Sequence, residues 1–166
     1  MEDVEFAWLA DRPQFAPRLA ALHHAEWAWI DPDWTLAEAL ANLQVHTAGT
    51  AVPTTRVAFA GGELAGSVSL LANDHSRIRK WSPWLASLLV LPEFRGRGIG
   101  AALVRAALAR AAEEGVGELF LFTPEHKDFY ARLGWRPLAR TALKGTAVDL
   151  MCIAPRARPE SAWSAA

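Results

Sequence analysis

A fourteen-residue stretch constrains this chain more than any other: Leu88-Leu89-Val90-Leu91-Pro92-Glu93-Phe94-Arg95-Gly96-Arg97-Gly98-Ile99-Gly100-Ala101. The run from Trp84 to Leu91 is almost wholly apolar, as in a central strand buried on both faces. A loop over Pro92–Arg97 follows, then an Ala-rich helix to Glu114 with Gly115 as its C′ residue. A helix start carries unpartnered N–H groups and the positive end of the macrodipole. Glycines let an anion approach that backbone, and Arg95 and Arg97 add fixed charge. The stretch therefore predicts a phosphate or pyrophosphate site. A bare tight turn is the alternative, but three glycines and two arginines exceed what a turn requires.

Composition narrows the classes. A chain of 166 residues suits one domain, expected over residues 1–154, with a disordered tail over 155–166. Hydrophobic residues at 52% and charged residues at 21% exclude a disordered chain. Seventeen basic against eighteen acidic residues argue against a nucleic-acid partner. No apolar run nears the roughly 20 residues that span a bilayer, and the acidic start is unlike a signal peptide. A single cysteine, Cys152, permits no internal disulfide and fits a cytoplasmic location. One Cys and five scattered His give no metal-ligand pairing.

The element order follows from periodicity. Val4–Leu9 reads as a first strand, Phe15–Trp29 as a helix, and Thr35 with Glu38 as a capping box opening a second helix to about His46. Val57 and Phe59, the turn Gly61-Gly62 and Leu64–Leu71 form a hairpin. After the strand and helix already described come a buried strand at Leu119–Phe122 and a short helix with Thr123 as N-cap and Pro124 at its first position. Gly134 ends that helix, and two strands at Trp135–Ala139 and Thr146–Ile153 close the chain. The fold class is α/β: a mixed, mostly antiparallel seven-stranded sheet flanked by helices, with one right-handed β-α-β crossover over Trp84–Phe122.

The glycine loop lacks the Lys-Ser/Thr ending of a P-loop, which disfavours a nucleoside triphosphate. Gly96-x-Gly98-x-x-Ala101 matches a loose dinucleotide fingerprint, but it lies beyond the middle of the chain, behind a hairpin, and not at a first strand-to-helix turn. Arg95-x-x-Gly98-x-Gly100 resembles instead the Arg/Gln-x-x-Gly-x-Gly/Ala motif of the GNAT superfamily of N-acetyltransferases. Phe129-Tyr130-Ala131-Arg132-Leu133-Gly134-Trp135 looks like the same family's late helix, and the hairpin Gly61–Gly66 is similar to its second and third strands.

The resemblance implies acetyl-CoA as cofactor. Backbone groups of Leu88, Leu89 and Val90 would hold its pantetheine arm where that strand splays from Leu119–Phe122, with the Val90 N–H as donor to the thioester oxygen. N–H groups of Arg95, Gly96, Arg97, Gly98, Ile99, Gly100 and Ala101 would hold the pyrophosphate, and Thr123 falls where relatives carry a cofactor-contacting Asn. Tyr130, the sole tyrosine, matches the position that protonates the departing thiolate, and a phenol of pKa about 10 is protonated at neutral pH. Glu26, Asp31, Asp33, Asp74, His75 and a relay through Ser87 are candidates for a base, and water alone is a further option.

Trp27, Trp29 and Trp34 cluster at the break between the first two helices, where the family's acceptor site lies. Trp29, Trp34 and, across the cleft, Trp84 could line a pocket for an amine, or simply pack in the core. His126, Lys127 and Asp128 read as a solvated face. The family implies direct attack of a primary amine, from a small molecule or a short peptide end, on the thioester. A homodimer is common among its members, and abundant Ala and Arg with three Lys suggest a bacterial chain. Two other readings stay open: a non-catalytic acyl-CoA-binding module, and a dinucleotide-binding oxidoreductase.

Overall fold

The computed structural model describes residues 3–72 and 81–156. Seven strands form one sheet: β1 (Val4–Trp8), β2 (Thr54–Ala60), β3 (Glu63–Leu71), β4 (Trp84–Val90), β5 (Leu119–Thr123), β6 (Arg136–Leu143) and β7 (Thr146–Ile153). Their order is β1-β2-β3-β4-β5-β7-β6, and only β4 and β5 run parallel. The helices are α1 (Ala16–Trp27), α2 (Leu36–Val45), α3 (Ile99–Glu113) and α4 (Lys127–Arg132). The mixed sheet with a central crossover is thus the one anticipated from periodicity. No helix among the described residues is long and apolar enough to cross a membrane.

Strand alternation sorts the core into layers. Val57 and Phe59 face α1 and α2 with Leu9, Leu19 and Leu43, whereas Ala58 and Ala60 face the layer built on Leu103, Val104 and Ala107 of α3. Trp84, Phe120, Leu150 and Cys152 form a third cluster at the other end of the sheet. The Thr35–Glu38 capping box is present in both directions, which fixes the start of α2.

Several boundaries shift by one or two residues from the sequence reading, and two differ by more. The last helix begins at Lys127, not at Pro124. Thr123 stays in β5, paired with Asp149, and its Oγ1 accepts from the His126 N–H at 3.0 Å. The hydroxyl therefore makes the bond of a cap but closes a turn before the helix. Strand β6 runs on past Ala139 to Leu143, joined to β7 through Lys144-Gly145. It is an exposed edge, so no apolar alternation marks its length. Asp74, His75 and residues 157–166 lie outside the described residues.

Candidate active site

The site starts from a defect in the sheet. Ser69 pairs with Ala86 and Ser67 with Leu89, so Ser87 and Leu88 together stand opposite the single residue Val68. This is a β-bulge, which bends a strand and raises its twist. Ser87 takes φ +54° there, a left-handed conformation that non-glycine residues rarely adopt. Its carbonyl accepts from Ser67 Oγ at 3.1 Å. Beyond the bulge β4 leaves β5: the only registered pair between them is Trp84 with Phe120, at the start of both strands.

The end of β4 is held from the β3 side. Leu91 N–H donates to the Ala65 carbonyl at 2.8 Å. Gly66 makes this approach possible, because a Cβ there would sit 2.5 Å from the Leu89 carbonyl oxygen. Backbone groups alternate sides along an extended chain, so the Val90 N–H and C=O turn away from β3 toward the gap. The Val90 carbonyl accepts from Arg95 Nε at 2.9 Å.

The glycine loop follows directly. Gly96 and Gly98 hold φ of +79° and +78°, and Gly98 is the N-cap of α3. The first helical bond runs from Ala102 N–H to the Gly98 carbonyl, so the N–H groups of Ile99, Gly100 and Ala101 have no intrahelical acceptor. The Arg97 guanidinium lies 5.5 Å from the centre of the Phe94 ring. Both arginines are thus held beside the N–H groups at the start of α3 that lack intrahelical acceptors. Gly100 packs against Phe129 and Val90, which joins this loop to α4.

A cavity of about 500 Å³ opens along the gap. Ala86, Ser87 and Leu88 form one wall, Phe122, Thr123 and Tyr130 another, and α1, α2 and their connection supply Trp27, Asp31 and Trp34. Tyr130 is 8% exposed, and burial pushes its phenol further above the ordinary value of 10. It remains a protonated donor, and its hydroxyl has no hydrogen-bond partner among the described residues.

The structure sorts the other candidates. Trp34 lines the cavity, with its carbonyl accepting from His24 Nε2 at 2.9 Å, and Trp27 lines it too. Trp29 does not; it is 54% exposed. Trp84 does not line it either, contrary to the sequence reading. Its residue is wholly buried against Phe120 and Phe122, and its Nε1 donates to the Trp81 carbonyl, because the inward side of β4 at this position is core. Glu26 is exposed away from the cavity. Asp31 lines it and Asp33 does not, and Lys144 at the β6–β7 turn holds both carboxylates. His126 is exposed, in keeping with the solvated-face reading, and also lines the cavity.

Two buried histidines in the wall escaped the sequence reading. His23 and His46 are 3% and 5% exposed, and both line the cavity. Burial, with help from His46, pushes His23 down to about 3, and burial alone pushes His46 down to about 4, so both rings are neutral at pH 7. His23 Nε2 meets Ser67 Oγ at 2.8 Å; His46 Nδ1 meets Thr55 Oγ1 at 2.7 Å, and Thr55 Oγ1 meets Ser69 Oγ at 2.7 Å. The available signal was faint. Ser67 and Ser69 share one face of an otherwise apolar strand, and His23 follows Leu19 by one helical turn.

Comparison with known proteins decides the family: the acetyltransferase (GNAT) family matches residues 15–135. The chain belongs to the GNAT family of N-acetyltransferases. An uncharacterized N-acetyltransferase of Chlorobaculum tepidum is 43% identical over 56 residues, which span 34% of this chain and 36% of that protein. Among solved structures, an aminoglycoside 6'-N-acetyltransferase complexed with coenzyme A superposes with a TM-score of 0.70 at 17% identity, over 94% of this chain and 99% of that one. The Salmonella typhimurium protein yncA, determined with its cofactor acetyl-CoA, gives 0.68 at 17% identity over 97% and 99%. At such identities the likeness to these two solved structures is one of fold.

Proposed function

We propose that this GNAT protein is an acetyl-CoA-dependent enzyme that moves the acetyl group to a primary amine by direct attack on the thioester. One observation carries the reading. Strand β4 parts from β5 beside a cavity lined by the chain's only tyrosine and then runs on to the unpartnered N–H groups at the start of α3. Structural relatives determined with coenzyme A or acetyl-CoA support the cofactor.

The chain's residues divide the work. N–H groups from Arg95 to Ala101 hold the pyrophosphate, with Arg95 and Arg97 neutralising its charge. Val90, with Leu88 beside it, holds the pantetheine arm by strand-like hydrogen bonds, whereas the Leu89 backbone expected to share this task is turned to β3 opposite Ser67, and Thr123 lines the far wall. The Val90 N–H, turned into the gap, stabilises the oxyanion as the amine adds. Tyr130 gives its phenolic proton to the departing thiolate, a step general acids accelerate by typically 10²–10⁴-fold. Trp27 and Trp34 give the acceptor an apolar wall, and a small amine or a short peptide end fits the enclosed space.

Thermal unfolding with acetyl-CoA, CoA or NAD tests the reading. A ligand at 100 times its Kd stabilises by about 2.7 kcal/mol, several degrees for a domain of this size. A rise with both CoA species and none with NAD is expected, followed by amine-dependent thiol release. No rise with either CoA species overturns the proposal. Binding without turnover of any amine would favour a non-catalytic acyl-CoA module.

A further inference from the structure

The two buried histidines sit in similar hydroxyl-rich settings, yet their hydrogen bonds are not equivalent. Ser67 has one hydroxyl proton, and it is committed to the Ser87 carbonyl, which can only accept. His23 Nε2 must therefore be the donor to Ser67. This line is fixed in direction. It ties α1 to the bulge and cannot take up a proton through Ser67.

The other line has no such terminus. His46 Nδ1, Thr55 Oγ1 and Ser69 Oγ are joined by two contacts of 2.7 Å, and each member can donate or accept. Thr55 and Ser69 are directly opposed across β2 and β3, and Ser69 is opposed in turn to Ala86 of β4, next to the bulge. The line thus runs along one face of the sheet, from Ser69 of β3 over Thr55 of β2 to the C-terminal end of α2, where His46 is the capping residue. Ser69 and His46 line the cavity, whereas Thr55 is fully buried between them and does not.

We infer that Ser69, Thr55 and His46 form a proton path that takes the ammonium proton of the acceptor amine out of the cavity. The inference rests on the proposed amine acetylation. In the starting arrangement Ser69 donates to Thr55, and Thr55 donates to the lone pair of His46 Nδ1, with Nε2 carrying the imidazole proton. The ammonium N–H bond breaks toward Ser69 Oγ. The Ser69 proton moves to Thr55 Oγ1, and the Thr55 proton moves to Nδ1. The amine keeps its electron pair for attack, and His46 becomes an imidazolium. Burial makes that cation short-lived, so it releases its Nε2 proton to water. That release leaves the Nδ1–H tautomer, so tautomerisation of the imidazole to Nε2–H through water and rotation of the two hydroxyls restore the start. His23 of α1 is the titratable group that interacts with His46, while Asp31 of the α1–α2 connection and Tyr130 of α4 line the same cavity. Thr55 and His46 act through Ser69 and are positioning residues.

Thr55→Val tests this without touching the cavity wall, because valine keeps the shape and removes the hydroxyl. Kinetics are read from pH 6.5 to 10 on a primary amine that the wild type acetylates. The expected result is a fall of at least about tenfold in kcat/KM for the amine at pH 7, part of the usual general-base factor. The fall should shrink toward wild type above the amine's own pKa, where free base is already present. The KM for acetyl-CoA should stay within about twofold, and Thr55→Ser should restore activity at pH 7. Ser69→Ala cuts the path at its inner end and should give the same pH-dependent deficit, which keeps the test open if Thr55→Val folds poorly. Wild-type rates at pH 7 in both variants, or a deficit of equal size at every pH, would overturn the path. Wild-type protein that binds acetyl-CoA but releases no thiol with any amine would instead overturn the acetylation reading, and the path with it.

Discussion

The two halves proposed for the active-site cleft are written into the chain in different ways. The cofactor half, from Leu88 to Ala101, is one continuous segment. Its strand, glycines and helix start are each specified within a few residues. The proposed acceptor half is lined by His23 and Trp27 of α1, Trp34 and His46 around α2 and Ser69 of β3, with Ser67 and Thr55 bonded behind them. No two of its polar groups in contact are neighbours in sequence. Binding of a common cofactor can live in a local motif, whereas handling of the acceptor depends on long-range packing.

That contrast can be broken at several points. Tyr130 stands between the halves, and its loss should have the largest effect. Tyr130→Phe should lower kcat by about 10²-fold or more while the KM for acetyl-CoA stays unchanged. Steady-state kinetics decide it, and an unchanged kcat would remove Tyr130 from the chemistry.

Acid should damage the acceptor half first. His23 and His46 titrate well below an unfolded histidine, so the folded protein binds fewer protons than the unfolded chain between pH 6.5 and about 4. Their contribution is fully present above pH 6.5 and is lost as pH falls through that window. The loss by pH 5 is of the order of 2 kcal/mol per group. Denaturant unfolding from pH 7 to 4.5 should show that slope, and His23→Gln or His46→Gln should flatten it. A wild-type slope retained in both variants would place the acid sensitivity elsewhere.

The cofactor half should respond through its backbone. Gly98→Ala places a side chain at φ +78° and should cost about 1–2 kcal/mol of stability. It should also weaken acetyl-CoA binding and leave the amine KM alone. A shift in amine KM without one for the cofactor would mean that the two halves are not separate.

The smallest expected effect is the sharpest comparison. Trp34→Ala should raise the amine KM by about three- to tenfold through loss of an aromatic wall. Trp29→Ala, five residues earlier and outside the cavity, should stay within about twofold. Equal effects in both variants would dismiss the assigned acceptor wall.

Sequence alone determined the element order, the capping box of α2, the glycine loop and the strand that feeds it. These rest on short-range physics: apolar period, backbone conformations open to glycine, and orphan N–H groups at a helix start. It also singled out Tyr130, as the one phenol in a chain with eight tryptophans and seven phenylalanines. It could not choose among the tryptophans, because Trp29, Trp34 and Trp84 share one chemistry and differ only in which surface covers them. Nor could it separate Thr123 as a helix cap from Thr123 as a turn residue, since both use the same hydroxyl-to-N–H bond. The family resemblance implied that β4 parts from β5; tertiary structure alone decided that β4 bulges at Ser87 and that two histidines from the first two helices meet hydroxyls from β2 and β3. The physical reason is the same in each case. A buried polar group is stable only beside a partner, and the partners here lie between 9 and 44 residues away along the chain.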